Sequence, residues 1–254
     1  MGIIWTRPAG LWAEDKSLLK GTKHLRLPCL AYHDFGHKEI ISQLPESGLP
    51  ESGSLIGVLS SAHTVMSLNN APELLNKCKK WYAVGERTRD CFNASKNSRC
   101  YAYLPQGVRK GADLASFLCK FYQGQKITFF LPGAKKRAYQ LDTHLLACGF
   151  QVVCCNTYEV KIGIFNTDGG QMSKKSLEGA VSGMPDPAVC FASPSAVAGF
   201  TSTLEQAGLN TFLQKCKAVA IGPTTLKACQ RSFQKVFEAS DPSMVSLVEL
   251  AKNL

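Results

Sequence analysis

Four short stretches place hydroxyls and glycines where apolar runs stop. They are Ser60-Ser61, Gly85 with Thr88, Ser193-Pro194-Ser195, and Gly222-Pro223-Thr224-Thr225. A serine at such a point caps a helix by accepting a hydrogen bond from a backbone N–H further on. Pro194 and Pro223 suit the first helical turn. The chemistry open to such turns is anion binding, because the first N–H groups of a helix lack intrahelical partners and carry partial positive charge. One such turn is an ordinary cap. A repeated set, on a chain with 29 Lys and Arg against 19 Asp and Glu and a net charge of +10, points to a carboxylate or phosphate ligand.

Other chemistries lack their residues. No Gly-x-Gly-x-x-Gly, no Gly-x-x-x-x-Gly-Lys-Ser/Thr and no Gly-x-Ser-x-Gly occurs, which argues against dinucleotide, nucleoside-triphosphate and serine-hydrolase sites. His33 and His37 have i, i+4 spacing but no third ligand nearby, so no metal is expected. Eleven cysteines occur without a Cys-x-x-Cys pair. The N-terminus has neither the basic region nor the apolar run of an export signal. The expectation is therefore reduced, mostly buried thiols in a cytoplasmic protein. Met1-Gly2 with Thr6 fits a loose myristoylation pattern, but Ile3-Ile4-Trp5 reads as a buried strand. Asn93-Ala94-Ser95 is a glycosylation sequon by letter only. No apolar run of about 18 residues occurs, so no membrane partner is expected. Aromatics are not interleaved with Lys and Arg, so no nucleic-acid partner is expected either.

The elements behind these turns alternate. Strands are predicted over residues 3–5, 56–59, 81–84, 127–131, 151–155, 188–192 and 218–221. Helices are predicted over 134–148 and 195–207. This alternation implies α/β structure with parallel sheets covered by helices. Linker-like breakers cluster in the adjoining copies of Leu-Pro-Glu-Ser-Gly at 44–53, and at 166–171 and 183–187.

A longer repeat lies beneath them. Leu59 to Val65 resembles Phe191 to Val197, Tyr82 to Thr88 resembles Val219 to Thr225, and Gly111 to Leu118 resembles Ser243 to Leu250. Ile3 to Pro8 has a looser echo in Thr128 to Gly133. With the matches in the same order, the chain is expected to be two copies of one α/β unit with a cleft between them.

The residues that follow are similar to the uroporphyrinogen-III synthase family over nearly the whole chain. They are Thr6-Arg7-Pro8, Ser60-Ser61, Val84-Gly85 with Thr88, Thr157-Tyr158-Glu159-Val160, Ala192 to Val197, Ala220 to Thr225, and the segment from Ala239 to Ala251. Ala62, His63 and Ala192 depart from the common pattern. The resemblance implies two similar parallel-sheet, three-layer, flavodoxin-like (HemD-like) domains joined by a two-stranded antiparallel linker, with a hinge that lets the cleft open and close. Domain 1 would comprise residues 1–30 and 166–254, domain 2 residues 36–157, and the linker strands 31–35 and 158–165.

The resemblance also implies the reaction: closure of hydroxymethylbilane, an eight-carboxylate linear tetrapyrrole, to uroporphyrinogen III with loss of water and inversion of ring D. No cofactor or metal is implied. Tyr158 is the candidate acid, although a phenol with a pKa of about 10 is a mild one. Arg7, Ser60, Ser61, Gly85, Thr88, Ser193, Ser195, Gly222, Thr224 and Thr225 are the candidate substrate-binding residues, with Lys136 or Arg137 as further carboxylate partners. The protein is expected to be a monomer that makes at most transient contact with the preceding pathway enzyme. A non-catalytic two-domain binding protein for an anionic small molecule is the alternative that the residues leave open.

Overall fold

A computed structural model describes residues 2–50, 54–95, 97–137 and 139–254. Part of the second Leu-Pro-Glu-Ser-Gly copy and the Met1 of the myristoylation pattern lie outside the described residues. In chain order the elements are β1 (Ile3–Trp5), α1 (Trp12–Asp15), β2 (His24–Arg26), β3 (Leu30–Asp34), α2 (His37–Ile41), β4 (Leu55–Leu59), α3 (Ala62–Ser67), β5 (Lys80–Ala83), α4 (Glu86–Asn93), β6 (Ala102–Tyr103), α5 (Gly111–Phe121), β7 (Thr128–Ala134), α6 (Leu141–Ala147), β8 (Gln151–Ile162), α7 (Lys174–Ser182), β9 (Ala188–Phe191), α8 (Pro194–Gln206), α9 (Asn210–Lys215), β10 (Lys217–Ala220), α10 (Pro223–Cys229), β11 (Lys235–Glu238) and α11 (Met244–Lys252). Three short 3-10 turns, at 9–11, 68–70 and 72–76, complete them.

The chain divides into two units. One contains the residues up to Tyr32 together with Lys161–Leu254, and the other is His33–Val160. The divisions fall inside β3 and β8, so the crossings are strands rather than loops. Phe35 N–H donates to Thr157 O, and Gly163 N–H donates to Cys29 O. One residue number rises between these bonds as its partner falls, so the two crossing strands run antiparallel.

In the first unit the sheet order is β11-β10-β9-β1-β2, and every pairing is parallel. Read from β2, this is the flavodoxin-like 2-1-3-4-5 order. Strands buried on both faces read as continuous apolar runs, as Ile3-Ile4-Trp5 and Ala188-Val189-Cys190-Phe191 do. Alternate residues feed opposite layers. Ile4, Val189, Phe191, Ala218 and Ala220 pack with Phe200 and Leu204 of α8. Ile3, Trp5, Ala188, Cys190 and Val219 pack with Leu247 and Val248 of α11.

In the second unit the order is β3-β8-β7-β4-β5-β6. Leu55, Leu59, Trp81 and Phe130 face one layer, with Val65 and Phe92. Ile56, Val58, Tyr82, Phe129 and Leu131 face the other, with Leu114 and Leu118 of α5.

Mapped through the repeat, β8-β7-β4-β5-β6 lies on β2-β1-β9-β10-β11 strand for strand. The linear order is cyclically shifted, however. All four matches keep the same order along the sequence, but β7 follows β4, β5 and β6 within its unit, whereas β1 precedes β9, β10 and β11 within its own.

The predicted helix over 134–148 is shorter, because β7 continues through Pro132 and Gly133 to Ala134 alongside β8, and α6 starts only at Leu141. Three strands were not anticipated. β2, β6 and β11 have 3, 2 and 4 residues and are partly exposed, so they show neither a long apolar run nor a clean alternation. Cys119 and Cys148 form a disulfide, which corrects the expectation that every thiol is reduced. They lie on neighbouring helices with Cα atoms 6.0 Å apart, a proximity that 29 residues of sequence separation conceals. The remaining cysteines are buried or half-buried thiols. The Asn93 side chain is used structurally, since its Oδ1 accepts from Ala102 N at 2.7 Å.

Candidate functional site

Every strand that leads into a predicted turn is parallel to its neighbours, so within each unit these turns share the edge at the strands' carboxyl ends. Ser61 caps α3 with extended backbone, and its Oγ accepts from Thr64 N at 3.2 Å. Ser193 caps α8 in almost the same conformation and accepts from Ala196 N at 3.2 Å.

Around Ser61 the second unit builds more. Its Oγ is 3.0 Å from Thr64 Oγ1 and 3.0 Å from Tyr158 Oη. Together with the cap bond, these contacts fill the one proton and two lone pairs of a hydroxyl. Tyr158, only 5% exposed, arrives from β8, where the register against β7 shifts at Gly133/Ala134. Gly133 pairs with Asn156 and Ala134 with Tyr158, which leaves Thr157 as the extra residue. Such an irregularity re-aims side chains. It lets two consecutive polar residues both be buried and hydrogen-bonded, with Thr157 Oγ1 accepting from Ser67 Oγ at 2.7 Å.

The His63 ring stands edge-on to the Tyr158 ring, with centroids 4.5 Å apart. An ionised carboxylate only accepts, so His63 Nε2–H donates to Asp34 Oδ1, at 2.7 Å. Asp34 and Thr64 were absent from the sequence-derived candidates. Thr64 could have been found as the third residue after the Ser61 cap. Asp34 had no local signal, because it reaches His63 across 29 residues by way of the edge strand β3.

The other candidates divide by exposure. Ser60 and Ser195 are exposed, and Thr224 is exposed at the start of α10. Thr88 and Thr225 are buried, at 5% and 3%, on the inner faces of α4 and α10. Gly85 holds φ +88°, a conformation that favours glycine. Gly222 is extended, and open space lies where its Cβ would be, so it leaves the backbone uncovered.

In the first unit Arg7, Thr6, Ser193, Ala192 and Tyr32 line a recess of about 160 Å³ at the ends of β1 and β9. The Arg7 guanidinium pairs with Asp15, a carboxylate only 1% exposed that also accepts from Trp5 Nε1 at 3.0 Å. Arg7 therefore offers fixed donors to the recess, with its charge already balanced by Asp15. Arg137 Nη2 donates to Leu131 O, in the middle of β7, at 3.1 Å. Lys136 is exposed. None of the described helices is long and apolar enough to cross a membrane.

Solved structures of similar fold exist. The chain matches uroporphyrinogen-III synthetase from Helicobacter pylori 26695 with a TM-score of 0.63 and 18% identity, over 99% of this chain and 98% of that one. A mutant uroporphyrinogen III synthase from the extremely thermophilic bacterium Thermus thermophilus matches with a TM-score of 0.57 and 18% identity, over 100% and 98% of the two chains. No curated protein matches. The family described as uroporphyrinogen-III synthase HemD matches residues 20–249. Most of the sequence, including both capped serines and Tyr158, lies within that match, and the chain belongs to the uroporphyrinogen-III synthase HemD family.

Proposed function

We propose that this chain is a hydro-lyase that closes hydroxymethylbilane to uroporphyrinogen III without a cofactor, with Tyr158 as the acid. The observation that carries the reading is the Tyr158–Ser61 hydroxyl pair at 3.0 Å, held at the capped start of α3. In the first step the C–O bond of the hydroxymethyl group breaks and its electron pair goes to oxygen. The Tyr158 proton completes a water molecule, and the pyrrole is left as an azafulvenium cation. Ser61, turned to donate, stabilises the phenolate that Tyr158 becomes. Ring D then attacks through its substituted carbon. The spirocyclic intermediate fragments and recloses with ring D inverted, and the proton lost on aromatisation restores the phenol.

Unassisted closure gives the other isomer, so the larger task is to hold the chain folded. Exposed Thr224 and Ser195, the uncovered backbone at Gly222 and the donors of Arg7 are assigned to the substrate carboxylates. The net charge of +10 favours the approach of a polyanion. The test is incubation with enzymatically generated hydroxymethylbilane, followed by separation of the product isomers. Isomer III as the product supports the reading, and isomer I alone sinks it in favour of a binding protein.

A further inference from the structure

We propose that Cys119, His144 and Cys148 form a redox-gated zinc site on the second unit, separate from the Tyr158 turn. The ligand atoms of these three residues lie within 4.8 Å of one another, a grouping that no other set of three or more such side chains reaches among the described residues. His144 and Cys148 are one helical turn apart, so α6 presents both on one face. Cys119 comes from the last turn of α5, which packs beside it. The Cα atoms of Cys119 and Cys148 are 6.0 Å apart.

Two thiolates and one imidazole are the donor set that selects Zn²⁺, with the fourth tetrahedral position left for water. The imidazole is oriented for the task. Tyr139 Oη lies 2.8 Å from His144 Nδ1. With Nδ1–H donating to that oxygen, the Nε2 lone pair is left for the metal, as outer-shell partners of zinc-bound histidines commonly arrange. Both helices also end here, and the partial negative charge of a helix C-terminus favours a cation.

The same two sulfurs cannot serve the disulfide and the metal together. A dithiol reductant supplies two electrons and two protons, breaks the S–S bond and is itself oxidised to a disulfide. Zn²⁺ then displaces the two thiol protons. The site lies at the opposite edge of the sheet from Ser61, because α5 and α6 lead into the amino ends of β7 and β8.

The test uses the full chain, reduced with a phosphine, and Zn²⁺ titrated against a chromophoric chelator. One tightly held equivalent is expected, and Co²⁺ in its place should show thiolate charge-transfer absorption. Cys119→Ser should abolish both signals. His144→Ala should weaken binding by more than the roughly 10–100-fold that loss of an outer-shell partner costs. The oxidised protein should hold none. The proposal is overturned if the reduced protein binds no zinc, or if either variant, folded by circular dichroism, retains the wild-type affinity.

Discussion

The two units solve one packing problem with opposite volumes. Gly57 on β4 pairs with Trp81 on β5, while their repeat counterparts, Val189 on β9 and Ala218 on β10, pair with each other. A Cβ on Gly57 would lie 2.2 Å from the Trp81 ring, so the glycine exists to admit the indole, whose Nε1 donates to Leu75 O at 3.0 Å. In the first unit a valine and an alanine share the same space. The carboxyl edges differ in a parallel way. Ser61 and Ser193 make the same cap, but Thr64 stands where the first unit has Ala196, and Tyr158 bonds to Ser61 from β8. Strand order and caps survive the divergence because they depend on backbone. The hydroxyl cluster of Ser61, Thr64 and Tyr158 is present on one side only, because it depends on side chains.

The largest expected break is Tyr158→Phe. Removal of a general acid should cost about 10²–10⁴-fold in turnover with the fold intact. A wild-type rate of isomer III formation would leave Tyr158 a packing residue. The core comparison is sharpened by transplanting the first unit's pair. Trp81→Ala should destabilise by about 3–5 kcal/mol in urea unfolding. Gly57→Val/Trp81→Ala should recover more than about 0.5 kcal/mol of that, the threshold for coupling between contacting sites. A double variant no more stable than Trp81→Ala would break the volume argument.

The caps come next. Ser61→Ala and Ser193→Ala should each cost about 1 kcal/mol, but only Ser61→Ala should also lower kcat. Equal kinetic losses would erase the distinction between the two edges.

The smallest effect is alkaline. Burial pushes the thiol of Cys155 up to about 11 and those of Cys216 and Cys229 up to about 12. Raised values favour the protonated thiol in the folded state. Their contribution is therefore complete below the ordinary thiol value near 9 and lost as pH rises through 11–12. Urea midpoints should stay level up to about pH 9 and fall above it. A decline already under way between about pH 7 and 8 would assign the loss to other groups.

The doubly buried strands and the serine caps were legible in the sequence. Ile3-Ile4-Trp5 and Ala188-Val189-Cys190-Phe191 declare burial by being uniformly apolar, and Ser61 and Ser193 declare helix starts by side-chain chemistry alone. Tyr158 was named through its motif, and nothing in its neighbours announced the hydroxyl it meets. Thr225 reads as a binding hydroxyl from its motif, and only the fold shows that it sits on the buried face of α10. Periodicity, capping and charge act between near neighbours, so a single chain records them. The Ser61–Tyr158 bond, the Asp34–His63 pair, the Cys119–Cys148 disulfide and the cyclic shift of the repeat join residues 29 or more apart. The pairing of strands, the shifted register of β8 and the packing of α5 beside α6 decide which of these side chains meet.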